Sequence, residues 1–356
     1  KVGLFYYDYS KATNYTNEEI QNLYNNFFFK DKDGSSVFIL GMLPTVIKYM
    51  NYPLVSVIIP GYNHAPYLRE RIDSVLEQDY PNFEVFLMDD CSSDNSREIM
   101  EEYRGKEHIK DILFNDRNTG NTFIQWKKGI VIANGEYIWI AESDDVAEKS
   151  FLTKMVAKLQ TVADAVYAFS HSTIIGANGE LLPNIWDGRS RYSHDGIYES
   201  RFFCLTRMIF YNAPYNASMV VFRKRFFAEI PDDYLQFRHN GDYCFWLLMS
   251  MRGRVLEVNE PLNRFRQHDR KVSADGKDEA FLENAAIVDK AITLLRLSSY
   301  QQRCLKGKYR KRWLRAKEST RDEARRRYPR VYGGSLFDSL VYDIDKIINL
   351  SHFHNR

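Results

Sequence analysis

Residues 55–63 read VSVIIPGYN, a run of aliphatic and β-branched side chains broken only by Ser56 and ended by Pro60-Gly61. A short apolar run bounded by such a pair predicts a buried strand. Residues 67–78 follow with apolar side chains at 68, 72, 75 and 76, the spacing of a helix face. The alternation then repeats. Residues 83–88 predict a second buried strand that stops at Asp89-Asp90. Ser92 or Ser93 can cap a helix carrying Ile99, Met100 and Tyr103, and residues 109–114 predict a third strand. A helix over 122–133 ends near Asn134-Gly135, and residues 137–141 predict a fourth strand. Strands alternating with helices imply an α/β fold with a mostly parallel central sheet flanked by helices. Ligands of such sheets bind beyond the carboxyl ends of the strands. Three polar clusters sit there: residues 60–63, Asp89-Asp90, and Glu142-Ser143-Asp144-Asp145.

The pattern continues with a helix over 151–159, strands over 165–170 and 219–222, an apolar helix after Asp242 and a strand near 255–258. Three regions result. Residues 1–52 are an N-terminal extension of undefined role, 53–273 form the α/β domain, and 274–356 form a helical, basic C-terminal region. In the last, Lys and Arg crowd 306–330, and Leu340, Ile344, Ile347 and Ile348 have amphipathic spacing.

Composition narrows the class. The 356 residues are 44% hydrophobic and 27% charged, as in a folded globular chain. Lys+Arg 49 nearly balance Asp+Glu 47, so no global field points to nucleic acid. Aromatic residues reach 15%, which suits a large core or sugar-stacking surfaces alike. Cys91, Cys204, Cys244 and Cys304 show no CxxC spacing and read as free thiols of a reducing cytoplasm. No stretch approaches the ~20 apolar residues of a membrane span, and none reads as a signal peptide. A cytoplasmic location is expected, with room for peripheral contact at the inner face of a membrane. Oligomerisation is left open, and a chain that starts at Lys1 rather than Met fits a piece of something longer.

Three carboxylates within residues 142–145 repel one another unless a cation offsets them. At Glu-x-Asp spacing on a strand-ending turn they can hold Mg²⁺ or Mn²⁺, with water and substrate phosphates completing the shell. The same acids can instead cap the following helix. Asp90 can accept a hydrogen bond from a base edge on which Tyr62 stacks, or it can serve turn chemistry.

In order along the chain, "VSVIIPGYN", "FEVFLMDDCSSDNS", "NDRNTGN", "GIVIANGEYIWIAESDD", "HNGDYCFWLLM" and "FRQHDRKVS" resemble the successive motifs of a family 2 glycosyltransferase with the GT-A fold. The resemblance covers roughly residues 53–273. It implies a Rossmann-like GT-A domain, a nucleotide-sugar donor (UDP-sugar foremost), Mn²⁺ or Mg²⁺, and inversion at the anomeric carbon. Pro60, Tyr62 and Asn63 would line the nucleotide pocket, and Asp90 would contact the base with Asp89 beside it. The DxD position falls on Glu142-Ser143-Asp144: Asp144 would be the main metal ligand, and Glu142, a departure from Asp, would face the ribose or the metal. Asp145 would cap a helix. His268 would approach metal and diphosphate, with Arg264, Arg266 and Arg270 steadying the phosphates. Lys127 would face solvent. Where the family usually has Glu-Asp, this chain has Gly241-Asp242. Asp242 would be the general base, held ionised by the helix N-terminus behind it.

The expected function is transfer of a hexose-type sugar to a glycan or lipid-linked acceptor, in the manner of bacterial surface polysaccharide synthesis. Selectivity would lie in the loops over 171–218. The basic residues over 306–330 could dock on anionic lipid, or form a solvated face. A rival reading, kept alive by Glu142 and Gly241, is a non-catalytic nucleotide-sugar or glycan-binding module. A Rossmann dehydrogenase is disfavoured, because no GxGxxG follows the first strand.

Overall fold

The structure, a computed structural model, describes residues 29–30, 36–37, 52–183, 195–268, 276–314 and 316–352. The chain divides into two compact units, Lys1–Leu54 and Val55–Arg356. In the first, Phe29–Lys30 pairs antiparallel with Ser36–Val37. The other expectations for 1–51 lie outside the described residues.

The second unit opens as β1 (Val55–Gly61), α1 (Ala65–Leu76), β2 (Phe83–Asp89), α2 (Ser96–Glu101), β3 (Ile109–Phe114), α3 (Thr122–Ile132) and β4 (Tyr137–Ile140). After the acidic loop come β5 (Val146–Ala147), α4 (Phe151–Gln160), β6 (Ala165–Ile175), β7 (Leu181–Leu182) and β8 (Gly196–Tyr198). A helical stretch over 200–211 leads to β9 (Val220–Arg223), α5 (Gly241–Ser250) and β10 (Arg254–Arg266). The helices α6 (Lys277–Leu294), α7 (Ser299–Trp313), α8 (Glu318–Arg327), α9 (Pro329–Tyr332) and α10 (Leu336–Ile348) complete it.

The sheet order is β8-β10-β6-β9-β4-β1-β2-β3, with β5 beside β10 and β7 beside β6. The β3-β2-β1-β4 block is parallel throughout, and β9 enters it antiparallel to β4. β1 can be apolar along its length because both of its faces are covered. Val55, Val57 and Ile59 point into one cluster with Leu68 and Ile72 of α1 and Met155 of α4. Ile58 points into the other, with Trp126 of α3, Phe245 of α5 and Ile287 of α6. The period of two in a strand distributes a continuous hydrophobic run between two cores. Gly129 lets α3 lie directly on β1, since a Cβ there would come within 2.6 Å of Ile58. The C-terminal helices therefore share a core with the sheet.

Two strands exceed their expected length: β6 runs on past 170 to Ile175, and β10 extends further still. β10 continues past 258 to Arg266, although Asn259-Glu260-Pro261 interrupts the apolar pattern. Its register with β6 shifts between Glu257 and Pro261, so the strand resumes after an irregularity and delivers residues 263–268 beside the acidic loop.

The fold also brings two buried cations beneath that loop. Arg71 of α1 is 0% exposed; its Nε donates to the Glu142 carbonyl at 2.8 Å and its Nη2 to Ser218 Oγ at 2.9 Å. The same guanidinium lies 3.9 Å from Asp145 and over the Trp139 ring. Arg266, at the end of β10, donates from Nε to the Asp144 carbonyl at 2.8 Å, and its backbone N–H meets Asp145 Oδ1 at 2.9 Å. Removing one partner of a buried ion pair leaves the other charge unsatisfied, at about 3–5 kcal/mol. Arg71→Leu should therefore lower unfolding stability by about 3–5 kcal/mol in urea titration. A midpoint within experimental error of wild type would refute this bracing role.

Candidate functional site

A cleft of about 970 Å³ opens at the carboxyl ends of β1, β2 and β4. Its walls include Pro60, Tyr62, Asn63, Asp90, Glu142, Ser143, Asp144 and Asp242, so eight of the ten expected site residues line one cavity. His268 lies at its edge against Asp144, and Asp89 lies behind it.

Tyr62 is 45% exposed and presents its ring to the cleft. Asn63 has a left-handed φ of 55°, which a short polar side chain tolerates. Its Oδ1 accepts from Ser93 N at 2.7 Å and Asp94 N at 3.3 Å, tying the β1 loop to the β2 loop. Asp90 is buried and accepts from Asn115 Nδ2 (2.5 Å), Thr119 N (3.0 Å), Thr119 Oγ1 (2.7 Å) and Gln125 Nε2 (2.8 Å). It fixes the floor of the cleft as well as lining it. Asp89 departs from expectation. Its carboxylate is fully buried and accepts from Arg97 Nε at 2.6 Å and Ser92 N at 3.0 Å, so it braces the loop and does not line the cavity.

The acidic loop sorts its carboxylates. Asp144 Oδ2 meets His268 Nε2 at 3.0 Å, and His64 Nδ1 meets Ser143 Oγ at 2.7 Å. Asp144, His64 and His268 offer ligand atoms within 4.8 Å of one another, close enough to share one cation. One carboxylate with two imidazoles suits Mn²⁺ better than Mg²⁺, which favours all-oxygen shells. Glu142, expected as a second ligand, is instead bonded to Trp126, whose Nε1 donates to Oε1 at 2.9 Å. Desolvation pushes the Glu142 carboxyl up to about 8, and repulsion from Asp144 adds to the rise. Asp145, expected as a helix cap, is buried. It accepts from Asn216 Nδ2 at 2.8 Å as well as from Arg266, while Ser150 precedes α4. The extra methylene of Glu142 carries its carboxylate to the indole.

The arginines expected on phosphate are committed elsewhere. Arg266 is buried in the loop and reaches Glu70 at 2.5 Å, and Arg264 pairs with Glu148 at 2.7 Å. Arg270 lies outside the described residues. Lys127 faces outward and pairs with Asp232 at 2.5 Å, as its solvent reading implied.

Asp242 stands in the first turn of α5, one residue past Gly241, and Asn240 rather than Asp242 precedes the helix. Gly241 has a steric cause: a Cβ there would lie 2.3 Å from the Phe123 ring and 2.7 Å from the Tyr234 carbonyl. The helix N-terminus does not hold the Asp242 pKa low. Desolvation pushes it up to about 6, while hydrogen bonds from the Tyr243 backbone and Asn212 act the other way. The approach to this turn is held from α6. Glu283 Oε1 accepts from Arg238 N at 2.7 Å, and its Oε2 accepts from His239 N at 2.9 Å and Asn240 N at 2.8 Å.

Three contributors escaped the sequence reading. His64 directly follows Asn63 in a strand-end loop, and that adjacency was the signal. Trp126 and Glu283 carried none, because a core-facing tryptophan and a surface-type glutamate look ordinary on their helices.

Residues 56–228 match the family model described as Glycosyl transferase family 2, which spans β1 to β9; Asp242 and His268 lie beyond the match. A Bacillus subtilis protein named as the teichuronic acid biosynthesis glycosyltransferase TuaG is 25% identical over 225 residues, 63% of this chain and 82% of that one. Staphylococcus aureus TarS 1–349, solved in complex with UDP-GlcNAc, superposes with a TM-score of 0.54 at 19% identity, over 84% of this chain and 81% of that one. Pyrobaculum calidifontis mannosyltransferase PcManGT, solved with GDP-Man and Mn²⁺, gives 0.50 at 17% identity over the same shares. At such identities these two structures speak for the fold, and their sheet-and-cleft architecture is the GT-A one. The matched segment builds most of the cleft: residues 56–228 belong to glycosyl transferase family 2, within a chain that has the GT-A-like fold of a glycosyltransferase.

Proposed function

We propose that the protein moves a hexose-type sugar, with inversion, from a UDP-sugar to a hydroxyl of a glycan or lipid-linked acceptor, with Mn²⁺ as its cation. The observation that carries this reading is one cleft lined by Asp144 and His64, with His268 at its edge, and by a partly buried Asp242. Support for the donor comes from Tyr62 and Asp90 at the ends of β1 and β2, and from the UDP-GlcNAc and GDP-Man complexes of the structural relatives. The teichuronic acid assignment of the Bacillus relative supports surface polysaccharide synthesis. A non-catalytic module is disfavoured, because packing against Phe123 accounts for Gly241 without loss of Asp242.

In the proposed mechanism Tyr62 stacks on the base and Asp90 keeps the surrounding loop in place. Glu142, bonded to Trp126, faces the ribose. Asp144, His64 and His268 would hold the cation, which when bound supplies positive charge for the departing diphosphate. Asp242 accepts the proton of the acceptor hydroxyl as its oxygen attacks the anomeric carbon in line. No side chain needs to form a bond to the sugar. A screen of nucleotide sugars for Mn²⁺-dependent hydrolysis tests the reading, and no turnover with any donor would count against it.

Mn²⁺ binding to the full chain, followed by electron paramagnetic resonance, should disappear in Asp144→Asn and weaken about tenfold or more in His64→Ala and His268→Ala. Unchanged binding in all three would remove the proposed ligand set.

Asp242→Asn should cut turnover by about 10³-fold while UDP binding persists. In the wild type, kcat/KM should fall about tenfold per unit below pH 6, as protonation removes the base. A carboxyl whose folded pKa is raised stabilises the fold below its unfolded pKa, and that contribution is lost as pH rises through about 6. Asp242→Asn should therefore raise Tm by a few degrees at pH 8, on the order of 1 kcal/mol, with the gain vanishing toward pH 4. A pH-independent difference would contradict this account.

Glu283 is a positioning residue in this scheme. Glu283→Ala and the milder Glu283→Gln should lower kcat, the first by about tenfold or more, with nucleotide affinity unchanged. Parallel loss of UDP affinity would point to general disruption instead.

A further inference from the structure

The helix α10 is packed with its polarity reversed. Its buried positions are Ser339, Tyr342 and Asp345, set against α7. The approach is close, since a Cβ on Gly307 of α7 would fall 2.1 Å from the Asp338 carbonyl. Outward go Leu336 (73% exposed), Phe337, Leu340, Ile344, Ile347 (75%) and Ile348. At 3.6 residues per turn these six occupy about 120° of the helix, one continuous stripe. A contiguous exposed apolar face of this kind marks a binding surface.

The neighbouring segment supplies a field of one sign. Residues 299–330 contain thirteen Lys and Arg against three Asp and Glu. Lys317, Arg327 and Arg330 are engaged with Asp278, Glu323 and Asp289, while Arg325 and Arg326 are exposed. Arg303, also exposed, sets its guanidinium over the Phe337 ring at 5.4 Å, so the basic surface reaches the edge of the apolar stripe.

We propose that α10, flanked by the cations of α7, is a docking surface for an anionic lipid bilayer, with the apolar stripe seated at the acyl boundary and the cations on the headgroups. Charge complementarity selects this occupant. Self-pairing through α10 would bring two strongly basic surfaces together, whereas an anionic headgroup layer offsets them. Among the described residues no helix is long and apolar enough to cross a membrane, so the helix lies on the surface and does not span it. The docking is independent of which sugar is transferred.

Sedimentation of the full chain with vesicles tests this. The wild type should bind vesicles containing phosphatidylcholine and phosphatidylglycerol, release on raising salt, and ignore phosphatidylcholine alone. Leu340→Asn/Ile347→Asn and Arg303→Glu/Lys306→Glu should each weaken partitioning about tenfold or more, with circular dichroism and nucleotide-sugar hydrolysis unchanged. Wild-type binding by both variants, or no binding to anionic vesicles, would overturn the proposal. So would a wild-type dimer in light scattering that Leu340→Asn/Ile347→Asn dissolves while vesicle binding is absent, because a second copy would then cover the stripe.

Discussion

Two buried guanidinium groups under one acidic loop are the constraint on which the cleft depends. Glu142, Asp144 and Asp145 could not converge at the end of β4 without positive charge below them. Arg71 and Arg266 supply it from the inside: one comes from α1 and the other from the end of β10. Both bond to loop carbonyls, which sets the backbone path and turns Asp144 toward His64 and His268. Because the braces come from residues 71 and 266, the site exists only once the whole sheet has assembled. The sequence view, in which a divalent cation alone offset the acids, named half of the electrostatics. A cation bound at Asp144 would meet a loop already stabilised from within.

The same logic governs the opposite wall. Asp242 owes its raised pKa to burial in the first turn of α5. The three backbone N–H groups that lead into that turn end on Glu283 of α6. The helix α6 shares its apolar core with β1 and α3. The C-terminal helices are thus part of what positions the Asp242 wall of the cleft, whatever else their outer surface does. The sequence placed a boundary near 273 because composition shifts there, and α6 beyond it packs into the same core as β1 and α3.

How much was legible follows from the physics of each feature. Apart from the two-residue β5, strands and helices from 55 to 160 were readable to within two or three residues, because buried parallel strands are apolar on both faces and the loops between them are short and polar. The cleft was readable for the same reason: in an α/β sheet, strand ends fix where polar clusters meet. Partner identity was not readable. Glu142 turns to Trp126, Asp89 to Arg97 and Arg266 to Glu70, and nothing local in those segments distinguishes a phosphate contact from an internal ion pair. Residues 259–261 concealed the rest of β10, since a strand interrupted by Pro261 reads as two elements or one short one.

The departures from the expected motif are explained by steric and electrostatic neighbours rather than by decay of function. At 241 the space is taken by Phe123 and the Tyr234 carbonyl, so a side chain has nowhere to go. The aspartate that follows keeps its place in the cleft. At 142 the longer side chain finds an indole donor, and the ligand atoms that lie together are those of Asp144, His64 and His268. Burial and the nearby Asp144 raise the Glu142 carboxyl to about 8, and the Trp126 N–H is the donor that acts against that rise. The longer side chain at 142 is therefore accommodated by the indole of Trp126, while the groups that converge on Asp144 are the imidazoles of His64 and His268.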